Sequence, residues 1–512
     1  MKRPRASTVA LGLSALIMMG FGAALPGATG RAGGPPAPVT SASLAPPAAV
    51  VHAPAAQVAQ GGQTRAIIKV PRGSLGTPLL PRLRSLLGLL ALTLIAWLLS
   101  TDRKRVPWRV VIWGLSLQIL FALFILKTPL GAGIFTAVNR VVVALLNYTN
   151  DGASFLFGGL VKNLVPVGTG DIASGSFQQM AGQVANTGAS FAFSVLPTII
   201  FFCSLMTLMY HLGVMQAVVK GMAWVMQRTM GTSGAETLSA AGNIFVGQTE
   251  APLLIKPFVE RMTMSELMVV MTAGFATVAG GVMAAYVGML LAYFPDIAGH
   301  LLAASVMSAP AAVLVGKLMV PEDGTPETAG KLEVAIERPD VNVIDAAARG
   351  ASEGLFLALN VGAMLLAFVA LIYLLNGLLG WSAALVGIHG LTLERLLGWV
   401  LAPLAWLMGV SWHDAPTVAS LLGMKTVLNE FYAYLQLAAD LGSGVTLQPR
   451  SIVITAYALC GFANFSSIAI QLGGIGGIAP SRRHDLSRLG LRAMIGGTIA
   501  AFMTATVAGM VM

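Results

Sequence analysis

Charge is scarce in this chain: only 10% of its 512 residues are Asp, Glu, Lys or Arg, against 56% hydrophobic residues and a mean hydropathy of +0.79. So little polar surface cannot enclose a chain of this length in water, which excludes a soluble globular protein and leaves a polytopic membrane protein. Cysteine is nearly absent, and Cys203 and Cys460 both lie in apolar segments. A disulfide framework and a thiolate metal site are thereby excluded, and packing roles are expected. His211, His300, His389, His413 and His484 are scattered without metal-ligand spacing and read as structural or interfacial. The GxSxG match at 350–354, GASEG, has no partnered membrane histidine, so serine hydrolysis is not supported.

The few charges are also uneven. Lys and Arg number 31 against 21 acidic residues, but the basic residues stand in short clusters beside apolar runs, such as Asp102-Arg103-Lys104-Arg105 and Arg482-Arg483. That pattern marks the cytoplasmic ends of membrane helices and excludes a nucleic-acid surface. Glycine, by contrast, is plentiful at 58 residues, which suits close helix packing and interrupted helices in lipid.

Residues 1–25 have a basic start followed by an apolar stretch, and read as a signal peptide or an N-terminal anchor helix. Residues 26–80 are rich in Pro, Ala and Gly, and are expected to form a disordered periplasmic tether. Eight apolar runs then approach spanning length: Leu83–Thr101, Val106–Leu126, Phe191–Leu212, Leu267–Tyr293, His300–Val320, Gly354–Leu379, Ser451–Leu472 and Leu491–Met512. Leu130–Tyr148 mixes Asn139, Arg140 and Asn147 into its apolar pattern and precedes the turn-like Asn150-Asp151-Gly152, so it reads as an interfacial helix within 81–188. The acidic stretch Pro321–Asn342, within a cytoplasmic loop at 321–344, reads as a plain solvated linker.

Two regions, 215–262 and 397–441, hold apolar pieces too short for one crossing each and read as re-entrant hairpins. After the first comes Gly274-Phe275-Ala276-Thr277, and after the second Gly461-Phe462-Ala463-Asn464. Each unit runs hairpin, acidic residue, then a helix carrying Gly-Phe-Ala and a polar residue. An odd number of crossings separates the hairpins, so they enter from opposite faces and the repeat is inverted, the first at 189–320 and the second at 345–512 with the C-terminal helix. Matched interruptions in two halves are a sequence pointer to a transporter's binding site. The expected class is an all-α polytopic membrane protein, with about eight transmembrane helices and two opposed re-entrant hairpins.

A carboxylate at membrane depth costs at least about 2.5 kcal/mol, so Glu250 and Glu430 are candidate site residues. Around them stand the amides Gln248, Asn429 and Asn464, the hydroxyls Thr249, Thr277, Ser466 and Ser467, and the aromatic Phe462, with no Arg or Lys cluster. A strongly anionic substrate lacks cationic partners here. A neutral, planar, hydroxyl-rich molecule suits the set, because a carboxylate accepts two hydrogen bonds from a vicinal diol while amides read a heterocycle's edge.

The stretches NDGASFLFGGLV (150–161), NIFVGQTEAPL (243–253), Asn429-Glu430-Phe431 and GFANFSSIAI (461–470) resemble the signatures of the concentrative nucleoside transporters, over about residue 80 to the C-terminus. The resemblance implies a multi-pass protein of the bacterial inner membrane, a homotrimer whose protomers each combine a scaffold domain with a transport domain of two hairpins and two unwound helices. It implies that Gln248, Thr249, Glu250 and Val282 face the nucleobase, that Glu430, Asn464 and Ser467 hold the ribose hydroxyls, and that Phe462 packs against the nucleoside. It implies a co-transported sodium ion on the side chains of Asn243 and Thr277 and the carbonyls of Val246 and Val278, with no organic cofactor.

The expected function is sodium-coupled import of nucleosides by alternating access, not an enzymatic reaction. Proton coupling on the same fold is the alternative, with Glu250 as proton carrier. A remote alternative is an intramembrane hydrolase using Glu250 and Glu430 as a dyad.

Overall fold

The computed structural model describes residues 76–162, 164–169, 178–186, 191–330 and 340–512. The expected leader at 1–25 and nearly all of the tether at 26–80 lie outside the described residues. Three helices open the described chain: α1 (Leu79–Leu98), α2 (Trp108–Lys127) and α3 (Pro129–Phe157). The turn expected at Asn150-Asp151-Gly152 is not formed. Helix α3 runs through it, Thr149 Oγ bonds back to the Leu145 carbonyl at 3.1 Å, and Asn150 accepts from Ser194 Oγ at 3.2 Å. With the following turn, Pro129–Val161 becomes a 33-residue apolar segment long enough to cross a membrane, so length no longer assigns it to the interface.

A small antiparallel pair follows, β1 (Leu164–Thr169) with β2 (Gln178–Asn186), in register Leu164 to Asn186 with an irregularity between Pro166 and Gly168. This excursion is an addition to the all-helical expectation. Helix α4 (Leu196–His211) continues a π-helical turn at Phe191–Val195, and α5 (Val214–Met230) ends at Gly231 with φ of +71°.

The first hairpin is therefore shorter than the expected 215–262. Its ascending arm is α6 (Gly234–Gly242), opened by a capping box in which Ser233 N donates to Glu236 Oε1 at 2.7 Å. Its tip is 243–250, and its descending arm is a 3-10 turn at Ala251–Ile255 leading into the short helix Lys256–Val259. Helix α5 is separate, cut off by the left-handed glycine.

The helix that follows is broken. Helix α7 (Met264–Ala276) stops at Thr277 and α8 (Gly280–Leu290) resumes three residues later. Then come α9 (Ile297–Met319), the 42-residue α10 (Val343–Ala384), α11 (Leu393–Met408) and the second hairpin, α12 (Ala415–Val427) with α13 (Glu430–Ser443). The second hairpin's tip is Leu428-Asn429, and α11 packs on it as a separate helix. The expected span Ser451–Leu472 is also broken, into α14 (Pro449–Leu459) and α15 (Phe465–Ile478), each too short to cross alone. Helix α16 (Arg483–Val511) closes the chain. Eight helical segments among the described residues are long and apolar enough to cross, with Pro129–Val161 in place of Ser451–Leu472.

Burial sorts these elements. The windows in Met264–Leu290, Ile297–Met319 and Pro480–Val511 are 94%, 89% and 83% buried, whereas that in Val343–Ala384 is 17% buried. The broken helix, α9 and α16 thus form the inner bundle, and α10 presents Leu366, Leu374 and Trp381 outward.

The stretch expected to be a plain linker is not one over its described part. Thr328 accepts from Gly234 N and Ala235 N through its carbonyl and hydroxyl, and Glu327 pairs with Arg261 at 3.0 Å. Glu322 takes Lys317 Nζ at 2.8 Å, while the same ammonium meets the enclosed Glu236 carboxylate at 2.9 Å. These contacts clamp the base of the first hairpin, because a buried ammonium stripped of its carboxylates costs several kcal/mol. Residues 331–339 lie outside the described residues.

Candidate functional site

Both helix breaks and both hairpin tips meet. Phe462 N donates to the Thr277 carbonyl at 3.3 Å, which crosses the two unwound segments directly. Gly461 permits the crossing: a Cβ there would stand 2.9 Å from the Phe275 carbonyl oxygen and 3.0 Å from that of Ala276. Those oxygens belong to backbone and cannot swing aside. Gly461→Ala is expected to cost about 1–3 kcal/mol by overpacking, read as a lowered melting temperature together with weakened ligand affinity.

Glu430 sits at the first position of α13, where the helix's unpaired N–H groups favour a negative charge. Asn429 caps that helix, its Oδ1 accepting from Tyr432 N at 2.9 Å. The Glu430 carboxylate, 4% exposed, accepts from Tyr286 Oη at 2.8 Å and from Asn464 Nδ2 at 2.9 Å. Asn464 in turn caps α15, its Oδ1 accepting from Ser467 N at 2.9 Å and from Ser466 Oγ at 2.7 Å. The N-termini of two half-helices therefore converge on one carboxylate. Tyr286 is fixed by stacking on Tyr434, ring centroids 4.3 Å apart, and by an edge contact with Phe431.

The first hairpin reaches the same place through Gln248. Its Nε2 donates to Ser467 Oγ at 3.3 Å, and its Oε1 accepts from Gln471 Nε2 at 3.0 Å, which also holds the Met271 carbonyl. Glu430, Asn464, Ser467, Gln248 and Gln471 thus form one chain of polar contacts across the two repeats. Glu250 lies outside it. Its side chain is exposed, folds over Gly247 and accepts from Thr249 Oγ1 at 2.9 Å. The two glutamates bond different partners, Glu250 the Thr249 hydroxyl and Glu430 Tyr286 and Asn464. Val282 is buried on α8, and Phe462 is half-buried at the crossing.

Asn243, Val246, Thr277 and Val278 fall on the first hairpin's tip and the first break. Gly280 N donates to the Phe245 carbonyl at 2.9 Å, tying tip to break. Asn243 Nδ2 is anchored on the Ser239 carbonyl at 3.1 Å, and its buried Oδ1 has no hydrogen-bond partner. Thr277 Oγ1 donates to the Ala273 carbonyl at 2.8 Å, which leaves its lone pairs available. Among the described residues no cluster of three His, Cys, Asp or Glu side chains occurs. Neutral oxygens of this kind suit a hard monovalent cation better than a transition metal.

Sequence reasoning missed Tyr286 and Gln471. Both had a signal in helical spacing: Tyr286 lies four residues after Val282, and Gln471 lies seven after Asn464 and four after Ser467, on one face.

Family models described as Na+ dependent nucleoside transporter N-terminus and C-terminus match residues 87–160 and 300–509, and one described as nucleoside recognition gate matches 192–293. The protein named Uncharacterized transporter YutK, of Bacillus subtilis (strain 168), is 45% identical over 429 residues, covering 83% of this chain and 98% of that one. Sodium/nucleoside cotransporter 1 of Mus musculus is 41% identical over 442 residues, covering 84% of this chain and 63% of the longer mouse protein. The solved structure of CNTnw in an inward-facing substrate-bound state has a TM-score of 0.73 at 42% identity, covering 84% of this chain and 98% of that one.

Proposed function

This chain belongs to the family of Na+ dependent, concentrative nucleoside transporters, and on that premise we propose that it is a sodium-coupled symporter importing nucleosides across the bacterial plasma membrane. The observation that carries the reading is the meeting of both hairpin tips and both helix breaks around Glu430. Glu430, Asn464 and Ser467 hold the ribose hydroxyls. Gln248, Thr249, Glu250 and Val282 face the base, and Phe462 packs on the nucleoside.

Sodium binds the oxygens of Asn243, Val246, Thr277 and Val278 and orders the first tip against the first break. The nucleoside then bridges the two hairpins, and the transport domain moves against the scaffold to open the site inward. The protein acts as a homotrimer, each protomer working alone. The broad apolar face of α10 is the kind of surface a scaffold gives to lipid and to neighbouring protomers. One charge moving down the membrane potential supplies about 2.3 kcal/mol per 100 mV, and the sodium gradient adds to it.

Purified protein in liposomes should concentrate labelled uridine, chemically unchanged, when sodium is present outside. Replacing sodium by choline at fixed pH should stop uptake. Full uptake in choline that follows a proton gradient would establish proton coupling instead, and equilibration without accumulation would establish a channel.

A further inference from the structure

The second hairpin carries a lysine that none of these roles uses. Lys425 stands on α12, its side chain 0% exposed. Its Nζ donates to the Ala458 carbonyl at 2.8 Å, just before α14 ends, and lies 5.9 Å from the centre of the Phe502 ring on α16. It makes no direct ion pair among the described residues. An ammonium with one carbonyl and one ring for company is expensive in a membrane protein's interior and calls for a reason of charge.

The inverted repeat supplies the reason. In the first repeat the residue five before Glu250 is Phe245, whose carbonyl joins the hairpin tip to the helix break through Gly280 N. In the second repeat the residue five before Glu430 is Lys425, and the hairpin is joined to its broken helix by the ammonium on Ala458. Seven before Glu250 stands Asn243, with an unpartnered oxygen for a cation; seven before Glu430 stands Gly423, which has no side-chain oxygen. The counterpart of Thr277 is Asn464, already engaged with Glu430. The second repeat lacks the oxygen cage and carries instead a covalently attached positive charge, five residues from Glu430 across the same hairpin tip.

We infer that Lys425 is the resident cation of the second repeat: it ties the second hairpin to the α14 break, as sodium ties the first, and supplies the charge that keeps Glu430 ionised. It touches neither nucleoside nor sodium and is a positioning residue for Glu430. The inference rests on the reading of Glu430 as the ribose-holding carboxylate. Tyr286 from α8 and Asn464 from the second break bond that carboxylate, Tyr434 on its own helix stacks on Tyr286, and Lys425 stands on the facing arm of the same hairpin. Lys425 is the one cation among them.

The test uses full-length protein with Lys425→Met, Lys425→Arg and Glu430→Gln. At about pH 8, Lys425→Met should bind uridine about tenfold more weakly or worse, because Glu430 is then held as the neutral acid. Binding should recover as pH rises toward about 9.5, because Glu430 then gives up its proton without the ammonium's help. Lys425→Arg should keep most of the affinity, and the thermal stabilisation given by sodium alone should survive in Lys425→Met. A loss of equal size at both pH values, accompanied by loss of the sodium effect, would reduce Lys425 to a packing residue and overturn the inference.

Infrared difference spectra decide the charge state without any nucleoside. A protonated-carboxyl band that Glu430→Gln removes should be absent from the wild type near neutral pH and present in Lys425→Met. Its presence in the wild type, or its absence from the variant, overturns the inference. Failure of the wild type to bind any nucleoside would instead defeat the transport reading, and the infrared result would still decide whether Lys425 holds Glu430 ionised.

Discussion

Glu430→Ala is expected to abolish uptake and to weaken nucleoside binding by at least about 100-fold, roughly 2.7 kcal/mol. A carboxylate offers about four lone-pair sites, and Tyr286 and Asn464 occupy one on each oxygen. The remaining sites match the two hydroxyls of a vicinal diol, each bond to the charged group being worth about 1.5–3 kcal/mol. Truncation removes both acceptors and also leaves the Tyr286 hydroxyl and the Asn464 amide as buried donors without a partner. Glu430→Gln should fall between, since the amide keeps one acceptor oxygen and turns the other toward the hydroxyls as a donor. Binding to detergent-purified protein measures the affinity, and size-exclusion chromatography checks that the assembly is intact. Near-normal transport by Glu430→Ala would contradict the ribose assignment.

How much of this was legible in the sequence follows from which forces act locally. Composition and run length identified a membrane protein, because the bilayer imposes about 20 apolar residues per crossing whatever the fold. The paired Gly-Phe-Ala motifs located the breaks, but only the structure places Phe462 N on the Thr277 carbonyl, a contact between segments nearly two hundred residues apart. Glu250 and Glu430 occupy corresponding places in the two repeats of the sequence. In the structure the first hairpin instead meets the second break through Gln248, because Glu250 turns back over Gly247. Two misreadings share a cause. The Asn-Asp-Gly turn in α3 and the plain linker after α9 were inferred from local polarity, yet Asn150 is held by Ser194 and Glu322 by Lys317. A distant partner overrides what a polar side chain would do alone. The hairpin bounds shifted for a related reason. Apolar stretches in α5 and α11 read as hairpin arms until Gly231 and Gly409, both with left-handed φ, separate them from α6 and α12.

Asn243→Leu is expected to raise the sodium concentration needed for half-maximal uptake by at least about tenfold, roughly 1.4 kcal/mol, with Thr277→Val acting in the same direction. The two substitutions differ in what they leave behind. Asn243 Oδ1 is buried without a partner, so its removal deletes one proposed ligand and relieves an orphaned acceptor, and the sodium-free protein should lose little stability or gain some. Thr277→Val deletes the hydroxyl's bond to the Ala273 carbonyl as well, so it should lower the melting temperature of the sodium-free protein. Nucleoside affinity at saturating sodium should stay close to wild type in both, because neither side chain bonds Glu430, Asn464 or Ser467. That separation is what tells an ion site from a substrate site. A fall in nucleoside affinity that no sodium concentration restores would place Asn243 or Thr277 against the substrate. An unchanged sodium requirement in both variants would remove the proposed cage and turn attention to coupling through Glu250 by protons.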